Sequence, residues 1–192
     1  MSIACSAVCP EHAAGLSQLF VAANSTCFCR FWGFEGDDNA WQLRCGTEPA
    51  ANRSELEDEV TTGRSMGVVA MDGEQVVGWL KLAQVGAVPK MFARRLYRAE
   101  PWFRSAREGV YVVGCVLVHP SYRLRGVARA LIGCAPHTAR AYGARALEAL
   151  PRRLAPPVRD ESLWNGPLSS FEAAGFVQVA GIDGYPILRV EL

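Results

Sequence analysis

V-Y-V-V-G-C-V-L-V-H-P-S-Y-R-L-R-G-V-A-R-A-L, running from Val110 to Leu131, is the stretch whose reading decides the fold. The apolar, β-branched run from Val110 to Val118 reads as a buried strand, and Pro120 ends it. A short basic turn follows, Arg123-Leu124-Arg125-Gly126-Val127-Ala128, and a helical pattern then continues to about Tyr142. The first N–H groups of a helix have no partner within it and carry the positive end of its dipole. Main-chain donors and arginines at the end of a buried strand suit a pyrophosphate. Gly126 removes a Cβ that would hold a phosphate off the backbone, and Ala128 keeps the next approach small.

Outward from this stretch, the pattern predicts an α+β chain, an α/β sandwich of mixed strands with helices between them. Ile3–Val8 reads as a first strand and Pro10–Ala23 as a helix, with Leu16, Leu19, Phe20 and Ala23 on one face. The aromatic and cysteine-rich Thr26–Phe34 reads as extended. Asn52 opens a second helix to about Thr62, with Ser54 as its cap. Met66–Ala70 and Gln75–Leu82 flank Asp72-Gly73, the strongest hairpin signal in the chain. Val85–Glu108 reads as a long, arginine-bearing loop with one helical turn. After the helix, Arg145–Leu150 is a strand and Pro151–Arg159 a proline-rich connection. Pro167–Ala174 is a short helix. Phe176–Ala180 and Pro186–Glu191 are an antiparallel pair. Nothing marks a linker, so residues 1–192 are expected to form a single domain.

Composition excludes several classes. Half of the 192 residues are apolar, a fifth are charged, and the formal net charge is +1. That balance argues against a nucleic-acid partner. The longest apolar run is too short to span a bilayer, and Met1–Pro10 lacks the features of an export signal, so no membrane is expected and the location is expected to be cytoplasmic. The seven cysteines are accordingly read as reduced thiols. Cys27-x-Cys29 with Cys45 nearby is a weak zinc pattern, and no metal is expected.

The R-x-x-G-x-A of Arg123–Ala128, after a strand and before a helix, resembles the acetyl-CoA signature of the GNAT superfamily of N-acetyltransferases. It lacks the G-K-[ST] of a Walker loop and the G-x-G-x-x-G of a dinucleotide fold. Tyr122 before the turn, Arg129-Ala130-Leu131 after it and the late F-E-A-A-G-F of Phe171–Phe176 fall in the order GNAT domains show. C-F-C-R-F-W, N-R-S-E-L, V-V-G-W and E-A-L-P are similar to a bacterial GNAT subgroup with an N-terminal C-x-C. The resemblance implies the GNAT fold, whose mixed, mostly antiparallel sheet has splayed central strands. It also implies acetyl-CoA as co-substrate, an amine acceptor, and a homodimer paired through its sheets.

By the same resemblance, the strands Val110–Val118 and Arg145–Leu150 splay, and the pantetheine arm pairs with main chain at Val116, Leu117 and Val118, a strand addition by a ligand. Arg123, Leu124, Arg125, Gly126, Val127, Ala128 and Arg129 would hold the diphosphate. Gly114 inside a bulky strand suggests a bulge or a close approach. Direct attack by an amine needs a base, because an alkyl amine with a pKa of about 10.4 is protonated at neutral pH. Glu148, between apolar neighbours in A-L-E-A-L, is the first candidate, since a carboxylate there must face something polar. His119, Glu108 and Glu35 are weaker candidates. Cys115 offers an acetyl-cysteine route, against a buried small hydrophobe. Where many GNAT enzymes carry a tyrosine as general acid, this chain has Phe171. Phe28, Phe31, Trp32, Trp41, Trp102 and Trp164 are candidates for an aromatic acceptor wall. The arginines from Arg94 to Arg107 could attract an acidic acceptor or the nucleotide phosphate of CoA. A non-catalytic acyl-CoA-binding module on the same scaffold is the alternative function.

Overall fold

The computed structural model describes residues 3–154 and 163–192. Its strands are β1 (Ile3–Ala7), β2 (Gly67–Asp72), β3 (Gln75–Gln84), β4 (Val110–Val118), β5 (Ala146–Ala149), β6 (Val177–Ile182) and β7 (Tyr185–Glu191). They form one sheet in the order β1-β2-β3-β4-β5-β7-β6. Every neighbouring pair is antiparallel except β4 and β5. The predicted hairpin closes at Gly73, whose φ of 59° suits a tight turn.

The helices are α1 (Ala13–Ala22), α2 (Asp38–Thr47), α3 (Pro49–Thr61), α4 (Pro89–Ala93), α5 (Arg95–Arg98), α6 (Val127–Ala141) and α7 (Leu168–Ala173). One face of the sheet takes α6 through Val127, Leu131, Ile132, Ala135 and Ala139, all buried. Their spacing is that of a single helical stripe. Gly78 on β3 permits this contact. A Cβ there would stand 2.8 Å from Val127 and 2.9 Å from Leu131. On the other face, Leu16, Leu19 and Phe20 of α1 and Leu56 and Val60 of α3 pack on Val69, Val76 and Trp79. Further along, Met91 and Tyr97 of α4 and α5 pack with Val112 and Ile187. The cleft opens between these two groups.

Three expectations need correction. Thr26–Phe34 is not extended but a run of turns ending in a 3-10 turn at Phe31–Gly33, with positive φ at Phe28 and Cys29. Tucking Phe28 against Phe20 and Trp32 against β4 requires the chain to fold back there. The second helix starts at Pro49, a favoured first helical residue, and Ser54 lies inside it rather than capping it. Asp37 caps α2, accepting from the Ala40 N–H at 2.8 Å. Val85–Glu108 holds α4, α5 and two 3-10 turns rather than one helical turn. The connection Pro151–Arg159 lies mostly outside the described residues. Among the described residues, no helix is long and apolar enough to cross a membrane.

Candidate active site

β4 and β5 are in register only from Val110 to Val112 and then part. The register with β3 shifts at the same place: Leu82 pairs with Val113 and Lys81 with Cys115, leaving Gly114 as the bulged residue. The Trp32 indole donates to the Gly114 carbonyl at 2.8 Å, which fixes the bulge from the far side of the cleft. The open edge of β4 is not bare. The Val116 N–H donates to the Trp164 carbonyl at 2.7 Å.

A cleft of about 990 Å³ runs along this edge. At one end is the basic turn. Gly126 caps α6 in a left-handed conformation at φ 82°, and Leu124 before it is left-handed too, at φ 57°. The helix's first main-chain bond runs from the Ala130 N–H to the Gly126 carbonyl. Among the described residues, the N–H groups from 124 to 129 have no main-chain acceptor. A Cβ on Gly126 would meet no protein atom, so the space beyond it is open. Its glycine is therefore required by conformation, while the cradle in front stays clear. Arg123, Arg125 and Arg129 are exposed around it. Tyr122 ties the turn down, its hydroxyl donating to Asp72 at 3.2 Å. At the other end, Phe31, Trp32, Trp41 and Trp164 line the cleft, with Trp32 and Trp164 ring centres 5.7 Å apart.

The sequence model of the acetyltransferase (GNAT) family matches residues 32–155, which take in the parting strands and the turn at Gly126. This chain belongs to the acetyltransferase (GNAT) family. No curated protein matches it. Solved structures share its fold. The PaiA N-acetyltransferase of Thermoplasma acidophilum, solved with coenzyme A, has a TM-score of 0.56 at 10% identity, over 100% of both chains. An N-acetyltransferase of Staphylococcus aureus Mu50 has a TM-score of 0.54 at 12% identity, over 100% of this chain and 99% of that one. A GNAT-family acetyltransferase of Brucella melitensis, solved with acetyl-CoA, has a TM-score of 0.50 at 17% identity, over 100% of this chain and 88% of that one. At such identities the likeness is one of fold.

Within this GNAT fold the residues singled out from sequence separate into two groups. Val116, Leu117, Val118 and the turn from Arg123 to Arg129 line the cleft, apart from Arg125, and so does Cys115. Glu148 does not line it. Leu147 and Ala149 face α6, so Glu148 points the other way, beneath α4 and α5. Its carboxylate is 1% exposed and accepts from Arg107 at 2.5 Å, from Trp102 Nε1 at 3.0 Å and from Arg189 at 3.2 Å. Arg107 is itself held between the Phe92 and Phe103 rings, at 4.7 and 4.6 Å. Glu148 thus closes a buried charge network. Glu35 and Glu108 are exposed and outside the cleft, and the His119 ring accepts from the Ser121 N–H at 3.2 Å. Phe171 is fully buried against Phe176, and Phe28 belongs to the core.

Cys29 is the cleft residue that sequence reading missed. It and Cys27 face the cleft beside Cys115. The neighbouring Cys115 thiol pulls Cys29 below the ordinary thiol range, against the effect of burial. Lys81, paired with Glu59 at 3.4 Å, pulls the same way. The same contact, with burial, pushes Cys115 up. Cys27-x-Cys29 was the available signal. Its reading as a weak zinc pattern among reduced thiols did not include Cys115, which β4 brings to the same cleft. Among the described residues, no group of three or more His, Cys, Asp or Glu side chains is placed to hold a metal.

Proposed function

We propose that this chain transfers an acetyl group from acetyl-CoA to the amine of a small molecule or peptide, by direct attack within a ternary complex. The observation that carries the reading is the row of N–H groups at 124–129 that have no main-chain acceptor among the described residues, opening on a cleft that follows the bulged edge of β4. These residues fit the cofactor's diphosphate: the donors are main chain, the Gly126 side is open, and three arginines surround it. Acetyl-CoA bound there supplies a thioester carbonyl.

The protein's part is to orient that carbonyl and to exclude water. The edge of β4 at Val116 and Val118 offers main-chain donors in strand register. Reaching Val116 requires the Trp164 carbonyl to let go of its N–H, so Trp164 acts as an occupant the pantetheine arm displaces. The aromatic end, with Phe31, Trp32 and Trp41, receives the apolar part of the acceptor. Glu148 is assigned a positioning role: it holds Arg107, Arg189 and Trp102 and so fixes the wall formed by α4 and α5. The proton of the attacking amine leaves through groups that do line the cleft. Cys29, whose titration lies lowest among the thiols there, is placed to take it directly or through water. Cys115, held protonated, supports Cys29 instead of forming an acyl-enzyme. A thiolate is a good enough leaving group, with a free thiol pKa of about 8.5, for the buried Phe171 to replace a general acid without loss.

The test is calorimetry with acetyl-CoA alongside a thiol-release assay over a panel of amines. Gly126→Val places a β-branched residue at φ 82°, which costs about 1–2 kcal/mol in conformation. Its side chain also enters the open cradle. Acetyl-CoA affinity is expected to fall by about tenfold or more. Unchanged affinity would move the diphosphate elsewhere and remove the basis of the reading. Binding without thiol release on any amine would favour the acyl-CoA-binding module.

A further inference from the structure

Behind Trp164 lies a second pocket, of about 390 Å³. Arg94, Arg95, Arg152, Tyr97, Tyr185 and Asn165 form its polar lining, and among the described residues no acidic one lines it. Arg94 and Trp164 line both this pocket and the main cleft, so the two volumes adjoin. Seven other arginines, Arg30, Arg44, Arg53, Arg64, Arg107, Arg153 and Arg189, each pair with a carboxylate. The three in this pocket do not: among the described residues none of them makes an ion pair. The Arg152 guanidinium instead lies over the Tyr185 ring at 5.6 Å.

The neutral groups are in the same state. Neither the Tyr97 nor the Tyr185 hydroxyl has a hydrogen-bond partner among the described residues. Burial pushes the Tyr97 phenol up to about 12, so it stays a donor at any ordinary pH. Asn165 gives its Nδ2 to the Leu150 carbonyl at 2.9 Å, and its buried Oδ1 is left without a partner. Three like charges line one pocket with no counter-charge among the described residues, an arrangement that an anionic ligand would balance. The forks of guanidinium groups and the phenol O–H groups match an oxyanion.

We propose that this pocket is the subsite for a carboxylate or phosphate carried by the acceptor, so that the chain acetylates amines bearing a second, anionic end. The word acceptor rests on the acetyl-transfer reading above; the pocket's taste for anions does not. An acceptor anchored here reaches the β4 edge past Trp164.

The experiment has a binding arm and a turnover arm, both on the full chain. In the first, glutarate and inorganic phosphate are titrated calorimetrically, with neutral glutaramide as control. Binding of an anion, weakened by about tenfold or more in both Arg94→Ala and Arg152→Ala, is the expected result. Equal binding of glutaramide, or affinity unchanged in both variants, overturns the proposal. In the second arm, β-alanine is compared with propylamine and phosphoethanolamine with ethanolamine. An advantage in kcat/KM of about tenfold for one acid over its neutral partner, lost in Arg152→Ala, is expected and says which oxyanion is used. Equal kcat/KM within both pairs overturns it. Replacing acetyl-CoA by its dephospho form covers the remaining source. If Arg152→Ala raises the KM for acetyl-CoA but not for the dephospho form, the pocket holds the cofactor's phosphate and the proposal falls. Arginine-dependent glutarate binding with no turnover of any amine refutes acetyl transfer while the anion pocket stands.

Discussion

The two sides of β4 are built from different materials. Toward α6, the contact is made by main chain and small groups: Gly78 lets the helix down onto β3, and the turn at 124–129 presents bare N–H groups. Toward α4 and α5, it is made by long side chains: Glu148 clasps Arg107, Arg189 and Trp102, and aromatic rings close the cleft. The first side should be sensitive to a single added methyl. The second should be sensitive instead to the loss of a charge.

The largest expected effect breaks the side-chain-built half. Glu148→Ala leaves Arg107, only 12% exposed, without its carboxylate and beside the Arg189 guanidinium, which keeps Glu191. Removing one partner of a buried charge network costs about 3–5 kcal/mol. Chemical denaturation should show that loss, and Glu148→Gln, which keeps the shape and two acceptor sites fewer, should recover only part of it. If Glu148→Gln folds as stably as the parent and loses turnover alone, Glu148 is a catalytic base after all and the contrast between the two sides is wrong.

That residue also marks the limit of what was legible. Glu148 was singled out because a carboxylate between apolar neighbours must meet something polar, and it does. What it meets could not be read, because Arg107 and Arg189 each stand 41 positions away along the chain. The β4 strand, the Asp72-Gly73 hairpin and the turn at Gly126 were readable for the converse reason: each is fixed by a local pattern of apolar period, turn chemistry or helix start. The Gly114 bulge was readable as a glycine out of place in a bulky strand, though its Trp32 clamp was not. Thr26–Phe34 was misread because its aromatic content favours a strand, while burial of Phe28 and Trp32 against distant partners decides its shape. α2 gave no signal at all, since Trp41 is its one buried residue.

The main-chain-built half should break with one methyl. Gly78→Ala sets a Cβ at 2.8 Å from Val127 and 2.9 Å from Leu131, which pushes the start of α6 off the sheet. Such overpacking costs about 1–3 kcal/mol, and because α6 carries the cradle, acetyl-CoA affinity should fall with stability. Gly114→Ala is the internal control. Its Cβ would stand 3.5 Å from Lys81 and 3.6 Å from Trp32, ordinary contact distances, so stability should change by less than about 1 kcal/mol. Thermal melts of the two variants side by side sharpen the comparison, and equal losses would erase it.

The smallest effect is a matter of protons, and it asks whether the thiols belong to the side-chain-built half in function as well as in place. Cys29 titrates low because of the neighbouring Cys115 thiol and of Lys81. Cys115→Ala removes the larger of these causes and leaves the lysine. The Cys29 thiol should then titrate higher, so its thiolate fraction at neutral pH falls, and with it the rate of reaction with a small alkylating agent. Ultraviolet absorbance of the thiolate, followed against pH with Cys29→Ser as the blank, measures the shift directly. Since Cys115 is held protonated in the parent, its own removal subtracts no thiolate in this range. A Cys29 that titrates identically with and without its neighbour would mean that the two sulfurs share no proton. The amine's proton would then have to leave by water alone.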